Sequence, residues 1–303
     1  KTRLPSHIQT RLQRISAGRV ILQRCSPWKK RNWSAISCGW SAQMVKLPMR
    51  NLGQALYVEL LKARRSSVTL FTALGAALLP LVGGFFMIIL KDPELAQRVG
   101  LISAKAHILA GAADWPTYLE LLAQALAVGG IILFGFIGSW VFGREYADRT
   151  AKDLLALPTP RAAIVVAKFV VIALWSAALV LLVLILGFGI GALIGLAQAS
   201  TPLLLQGAIS IVSAAILTIA LVTPVTFFAS AGHGYLAPLG FVFLALLLAQ
   251  VVAVAGWGEY FPWSIPALLA QGEPLGAISY AIVAVTCAVG IAITWGWWTL
   301  ADL

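Results

Sequence analysis

Six apolar runs, each long enough to cross a bilayer, constrain this chain more than any other feature. They occupy residues 68–90, 119–142, 162–197, 203–230, 236–255 and 277–300. A spanning helix needs about 20 predominantly apolar residues, and in hydrocarbon its backbone polar groups must be satisfied within the segment. The runs therefore predict an all-α polytopic membrane protein with six transmembrane helices. Composition agrees: 60% of residues are hydrophobic, 11% are charged, and 303 residues leave room for one such bundle and little else. The third run exceeds what a bilayer requires. Gly187, Gly189, Gly191 and Gly195 in its second half predict a kink or an extension beyond the membrane, with Gly191–Gly195 as a small-xxx-small packing pair. As a dinucleotide fingerprint these glycines fail, because no strand–turn–helix context surrounds them.

The formal charge of +11 is concentrated at one end. Residues 1–43 hold nine Lys/Arg and no acid, whereas the rest of the chain has 13 basic and 11 acidic residues, a balance of 13 − 11 = +2. The body of the protein gives no support to nucleic-acid binding. The basic tail is read as an extension outside the apolar body, disordered or not native to it. A basic arm touching anionic lipid and a transit peptide are the two other readings. The domain proper is then 44–303.

Lys and Arg also set orientation, since they favour cytoplasmic loops. Before the first span stand Lys46, Arg50, Lys62, Arg64 and Arg65, and around the second loop stand Arg144, Arg149, Lys152, Arg161 and Lys168. The 91–118 loop has only Lys91, Arg98 and Lys105, and the 198–202 and 256–276 loops have none. Ten against three predicts both termini and the 143–161 loop on the cytoplasmic side.

That loop, GREYADRTAKDLLALPTPR (143–161), is a compact charged island with internal order. Glu145–Arg149 and Asp148–Lys152 have the i,i+4 spacing of helical ion pairs, acid first. Thr150 with Asp153 resembles a capping box. Leu154, Leu155 and Leu157 form an apolar knob before Pro158, and Thr159-Pro160 reads as an N-cap and first helical position ahead of Arg161. The expectation is a short docking helix between the second and third spans.

The 256–276 loop carries Trp257, Tyr260, Phe261 and Trp263, rings suited to the membrane interface. Pro262 and Pro266 interrupt any continuous helix. A re-entrant pair of short helices and an ordinary aromatic interfacial loop are both open readings. Within the spans, the only Asp, Glu, Lys or Arg are Glu120 and Lys168, both expected to snorkel to a boundary. Gln124, Gln206 and Gln250 are expected to bond between helices. No catalytic, metal-binding or cofactor-binding residue is assigned; Cys25, Cys38 and Cys287, and His7, His107 and His233, show no ligand spacing.

On four segments the region from Met44 onward resembles the membrane permease subunit of ABC-2-type ABC transporters, in particular the bacitracin-resistance-like permeases. The segments are ALYVELLKARRSS (55–67), DWPTYLELLAQ (114–124), FGREYADRTAKDLLALPTPRAAIVVAK (142–168) and YFPWSIPALLA (260–270). The resemblance implies a permease without an ATP site of its own, consistent with the absence of a G-x-x-x-x-G-K-[ST] loop. It implies a second permease copy or homologous half-permease, and a separate ATPase subunit docked on the cytoplasmic loops. Glu145, Arg149, Thr150, Leu154, Leu155, Pro158 and Arg161 would belong to the coupling loop. Glu59, Lys62, Arg64 and Arg65 would stabilise an interfacial helix, and Tyr260, Pro262, Trp263 and Pro266 the external re-entrant segment.

The expected function is the permease half of an ATP-driven exporter or flippase for a hydrophobic peptide, antibiotic or lipid. A secondary transporter needs ionisable groups at depth, and a membrane enzyme needs a nucleophile–base or metal constellation. A non-transporting membrane anchor is separated from the permease only by the coupling-loop resemblance.

Overall fold

The computed structural model describes residues 49–92, 112–150 and 160–300, with side chains from residue 52. The basic tail, and Leu154, Leu155 and Pro158 of the predicted docking helix, lie outside the described residues. Among those described the protein is all-α, with six segments long and apolar enough to cross a bilayer.

Helix α1 (Met49–Arg65) is amphipathic and closes on Lys62, Arg64 and Arg65, cations that complement the negative end of the helix dipole. It buries Glu59 and Ala63, one turn apart on one face. A single-residue joint follows. Ser66 accepts the Val68 N–H at 3.1 Å and so caps α2 (Ser67–Lys91), the first span. The second span, α3 (Trp115–Ala147), is capped by Asp114, which accepts the Thr117 N–H at 3.1 Å. The third is α4 (Arg161–Ile194). No strand forms among the described residues; one isolated bridge pairs Asp114 with Ala197.

The fourth span is broken. Helix α5 (Thr201–Ala220) and helix α6 (Thr223–Ala231) are separated by a turn at Leu221–Val222. Pro224 has no N–H to give the Ala220 carbonyl four residues back. The Thr223 hydroxyl occupies that carbonyl instead, 2.9 Å away, and lies 3.1 Å from the Cys287 carbonyl on the last span. At the same joint Gly290 meets the backbone nitrogen of Pro224: an added Cβ would lie 2.5 Å from it, so only glycine permits the approach. Helix α7 (Leu236–Val254) is the fifth span and α9 (Ala277–Leu300) the sixth. Between them lie a turn of 3-10 helix (Gly258–Tyr260) and the short α8 (Ile265–Ala270).

Span α3 is the most enclosed of the six and forms the centre of the bundle, packed by α2, α4, α5, α6, α7 and α8. Large apolar side chains on the outer faces, such as Phe71, Leu74, Leu181 and Leu247, are exposed, as a lipid-facing surface requires.

Of the kink or extension expected in the third run, the structure has the extension: α4 is continuous through Gly187, Gly189 and Gly191, and its 34 residues measure about 51 Å, beyond a hydrocarbon core of about 30 Å. Other expectations are corrected. Gly195 is not half of a packing pair: it sits at φ 66° as the left-handed cap of α4. Gly187 and Gly191 make the close contacts, against Leu122 and Trp115 of α3. The amides do not bridge helices. Gln124 donates to Glu120 within its own helix at 3.0 Å, and Gln206 and Gln250 are exposed.

Candidate functional site

The second span does not stop where its apolarity does. Gly143–Ala147 continue α3 past Phe142, because Arg144, Glu145 and Ala147 are good helix formers and their charges find partners. The helix then ends at Arg149, which takes a left-handed conformation at φ 58°. The Arg149 N–H bonds the Tyr146 carbonyl at 3.2 Å and the Thr150 N–H bonds the Glu145 carbonyl at 2.8 Å. This is the crossed pair of bonds of a Schellman motif, with arginine in the place usually held by glycine. The expected helical pair Glu145–Arg149 is therefore absent. Arg149 lies beyond the helix, and Glu145 turns inward. The next helix also opens one residue later than expected: Pro160 is the N-cap and Arg161 the first helical residue.

Glu145 belongs to a four-charge knot in which Glu59, Glu145 and Lys168 are buried and Lys62 is half-buried. Its Oε1 lies 2.8 Å from Lys168 Nζ of α4 and 3.1 Å from Lys62 Nζ of α1. Glu59 of α1 lies 2.7 Å from Lys62 and 3.4 Å from Lys168. Lys168 also donates to the Val141 carbonyl of α3 at 2.7 Å, so all three ammonium N–H groups have acceptors. It sits over the rings of Phe142 and Trp298, 5.7 and 5.8 Å from their centroids. Two lysines against two glutamates sum to zero, which offsets the cost of withdrawing them from water.

Lys168 was expected to snorkel; it is instead fully buried, about 10 Å along α4 from Arg161. The stem does not reach water because the counter-charges come to it. Burial pushes the Lys62 ammonium down, but the Glu59 and Glu145 carboxylates outweigh burial and raise it above the ordinary lysine value. Stability from a raised ammonium is whole below the ordinary lysine value and is lost as pH rises through the raised one. Lys62 thus brings no pH sensitivity into the neutral range. Glu145 Oε2 is buried without a hydrogen-bond partner among the described residues.

The knot ties α1, α3 and α4 together at the two ends of the 148–160 loop. Outside it, Arg144 pairs with Asp148 at 3.4 Å and its guanidinium lies 5.1 Å from the Trp140 ring. Arg64 and Arg65 are exposed on α1, and Arg161 is half-buried. The knot is the feature that reading by hydropathy missed. Its signal was present: a lysine two turns inside an apolar run, and an acid on the same helix face as Ala63.

At the opposite end of the bundle, α8 packs against α3 and α5 and buries Ile265 and Pro266. Pro262 and Trp263 are half-buried, the latter with its ring 5.4 Å from Phe241, while Tyr260 is exposed. The Ser264 hydroxyl bonds the Phe261 carbonyl at 2.8 Å. The non-helical backbone between α7 and α8 is thus held by protein contacts.

The chain matches the family model for ABC-2 family transporter proteins over residues 55–250, from α1 through the fifth span. It belongs to the ABC-2 transporter family. The bacitracin transport permease protein BCRB of Bacillus licheniformis is 32% identical over 172 residues, covering 54% of this chain and 81% of the relative. The protein is thus a multi-pass membrane subunit of an ABC transporter. The family match includes every member of the buried knot and the whole 148–160 loop, while the 260–270 segment lies beyond it.

Proposed function

We propose that this chain is the permease subunit of an ATP-driven exporter or flippase, with a separate ATPase subunit seated on the 148–160 loop. It would work with a second permease copy or a homologous half-permease, in the bacterial plasma membrane, with both termini cytoplasmic. The observation that carries the reading is the knot of Glu59, Lys62, Glu145 and Lys168. A slack linker needs no buried charges at its base. A loop that receives force does, because the knot makes the interfacial helix and the two flanking spans move as one. Closure of the ATPase pair would push the loop, and the tied helices would change the side to which the bundle opens. The apolar bundle suits a hydrophobic cargo: a peptide, an antibiotic or a lipid. The bacitracin transport named for the Bacillus licheniformis relative supports an antibiotic as one candidate.

A secondary transporter would use ionisable groups along its pathway. Here the buried charges are paired with one another at one end of the bundle, which favours a structural role. The test is co-purification. Leu154→Asp/Leu155→Asp would place two unpaired charges in the apolar contact, a loss of several kcal/mol, roughly 2–5 for a truncated buried pair. The double variant should insert normally, release the ATPase and lose substrate-stimulated ATP hydrolysis. Full retention of the ATPase and of transport would leave the loop as a plain linker.

A further inference from the structure

At the joint between α1 and α2 a cavity of about 410 Å³ opens beside the knot. Its lining includes Lys62, Arg65, Arg144, Asp148, Trp140 and Tyr235, so three cations face it against one acid. The cations are not equally engaged. Lys62 is taken up by Glu59 and Glu145. The Nε of Arg144 addresses Asp148, and its guanidinium plane lies over Trp140. Arg65 is exposed and has no hydrogen bond or ion pair among the described residues. Burial, followed by the Asp148 carboxylate, raises the Tyr235 phenol above its ordinary value, so its hydroxyl remains a donor.

The surroundings decide which anion such a cavity takes. Helix α1 exposes Tyr57, Val58 and Leu60 beside it, and the first turns of α2 expose Leu70, Phe71 and Leu74. The cavity therefore lies where an amphipathic helix meets a lipid-facing span, at the depth of headgroups and glycerol. Val58 and Leu61 contribute apolar wall. A soluble anion would have no use for that apolar approach, whereas a phospholipid brings a phosphate and acyl chains together. We propose that this cavity binds the phosphate headgroup of an anionic phospholipid, with Arg65 and Arg144 as its cationic arms and the acyl chains lying along the exposed face of α2. The site is independent of whether an ATPase docks on the neighbouring loop. Bound lipid would brace the α1–α2 joint against the end of α3, so the leaflet's composition would act on the helices that the knot ties.

The experiment uses the full-length protein in detergent micelles, titrated with phosphatidylglycerol or phosphatidylcholine and read by native mass spectrometry. Phosphatidylglycerol should be retained in preference to phosphatidylcholine. Arg65→Ala should weaken that retention about fivefold, the size expected for one basic residue at an anionic surface, and Arg65→Lys should recover part of it. Arg64→Ala removes a neighbouring exposed charge that does not line the cavity, and should leave retention unchanged. Because Arg65 has no partner among the described residues, its loss is expected to leave the fold intact. Equal weakening by Arg64→Ala would mean a diffuse field and no site. Absence of a headgroup preference, or displacement of the lipid by inorganic phosphate at millimolar concentration, would equally overturn the proposal.

Discussion

The indole Nε1 of Trp298, on the last span, donates to the hydroxyl of Ser230, on the second half of the broken fourth span, at 2.9 Å. Ser230 in turn donates to the Thr226 carbonyl at 2.9 Å, and the hydroxyls of Thr226 and Thr294 lie 3.1 Å apart. Trp298 is fully buried, and its ring also meets Phe142 and Tyr146 at centroid distances of 6.0 and 5.8 Å. This polar seam clamps α9 to α6 beneath the charged knot. Trp298→Phe removes the donor but keeps most of the ring contact, and should lower stability by about 1 kcal/mol. Trp298→Ala should lower it by about 3–5 kcal/mol through the cavity left behind. Thermal unfolding of the detergent-purified protein separates the two. Equal, small losses would show that the end of α9 is loosely held.

The knot gives a second expectation. Lys168→Met leaves Glu59 and Glu145 buried with only Lys62 between them. Breaking a buried pair from one side costs about 3–5 kcal/mol, so the single variant should unfold well below the parent. Adding Glu145→Gln removes one of the stranded charges and should return part of the loss, as coupled neighbours do. A Lys168→Met protein as stable as the parent would mean that the lysine contributes nothing to holding α1, α3 and α4.

Two glycines one turn-half apart on α4 should behave differently. A Cβ at Gly191 would lie 2.5 Å from the Trp115 ring, whereas one at Gly189 meets nothing within 4 Å. Gly191→Ala is therefore expected to destabilise by about 1–3 kcal/mol through overpacking. Gly189→Ala should be neutral or gain up to about 1 kcal/mol from lost chain freedom. If both lowered the unfolding temperature equally, helix flexibility and not the α3–α4 contact would be what these glycines provide.

Orientation is open to direct labelling. In a cysteine-free background, Asp148→Cys should be closed to a membrane-impermeant thiol reagent in intact cells and Glu259→Cys open to it. The expectation follows from the concentration of Lys and Arg before the first span and around the second loop. The reverse pattern would invert the topology.

The spans were legible because hydropathy reports what a bilayer tolerates, and five of the six fall within a few residues of their predicted limits. The ends of α3 were not, since a helix continues wherever its hydrogen bonds do, and Gly143–Ala147 are polar and helical at once. The break in the fourth span had a visible cause in Thr223-Pro224, hidden because the run remains apolar through it. Lys168 was misjudged for a different reason. Snorkelling is a property of a lone side chain, and its partners, 23 and 109 residues away in the chain, are set by tertiary packing. Leu154 and Leu155 lie outside the described residues, and the docking role proposed for them is read from the sequence.

The depth of Lys168 bears on how the protein is made. A lysine at the centre of an isolated segment resists transfer into a bilayer by about 2.5–3.5 kcal/mol, and α4 carries its own two turns from one end. Its nearest carboxylate, Glu145, lies on the span synthesised just before, and Glu59 lies earlier still. Both counter-ions thus precede the lysine in synthesis. Membrane integration of α3 and α4 as a hairpin, with its ion pair closed at the loop end, would spare the third span from entering lipid with a naked charge.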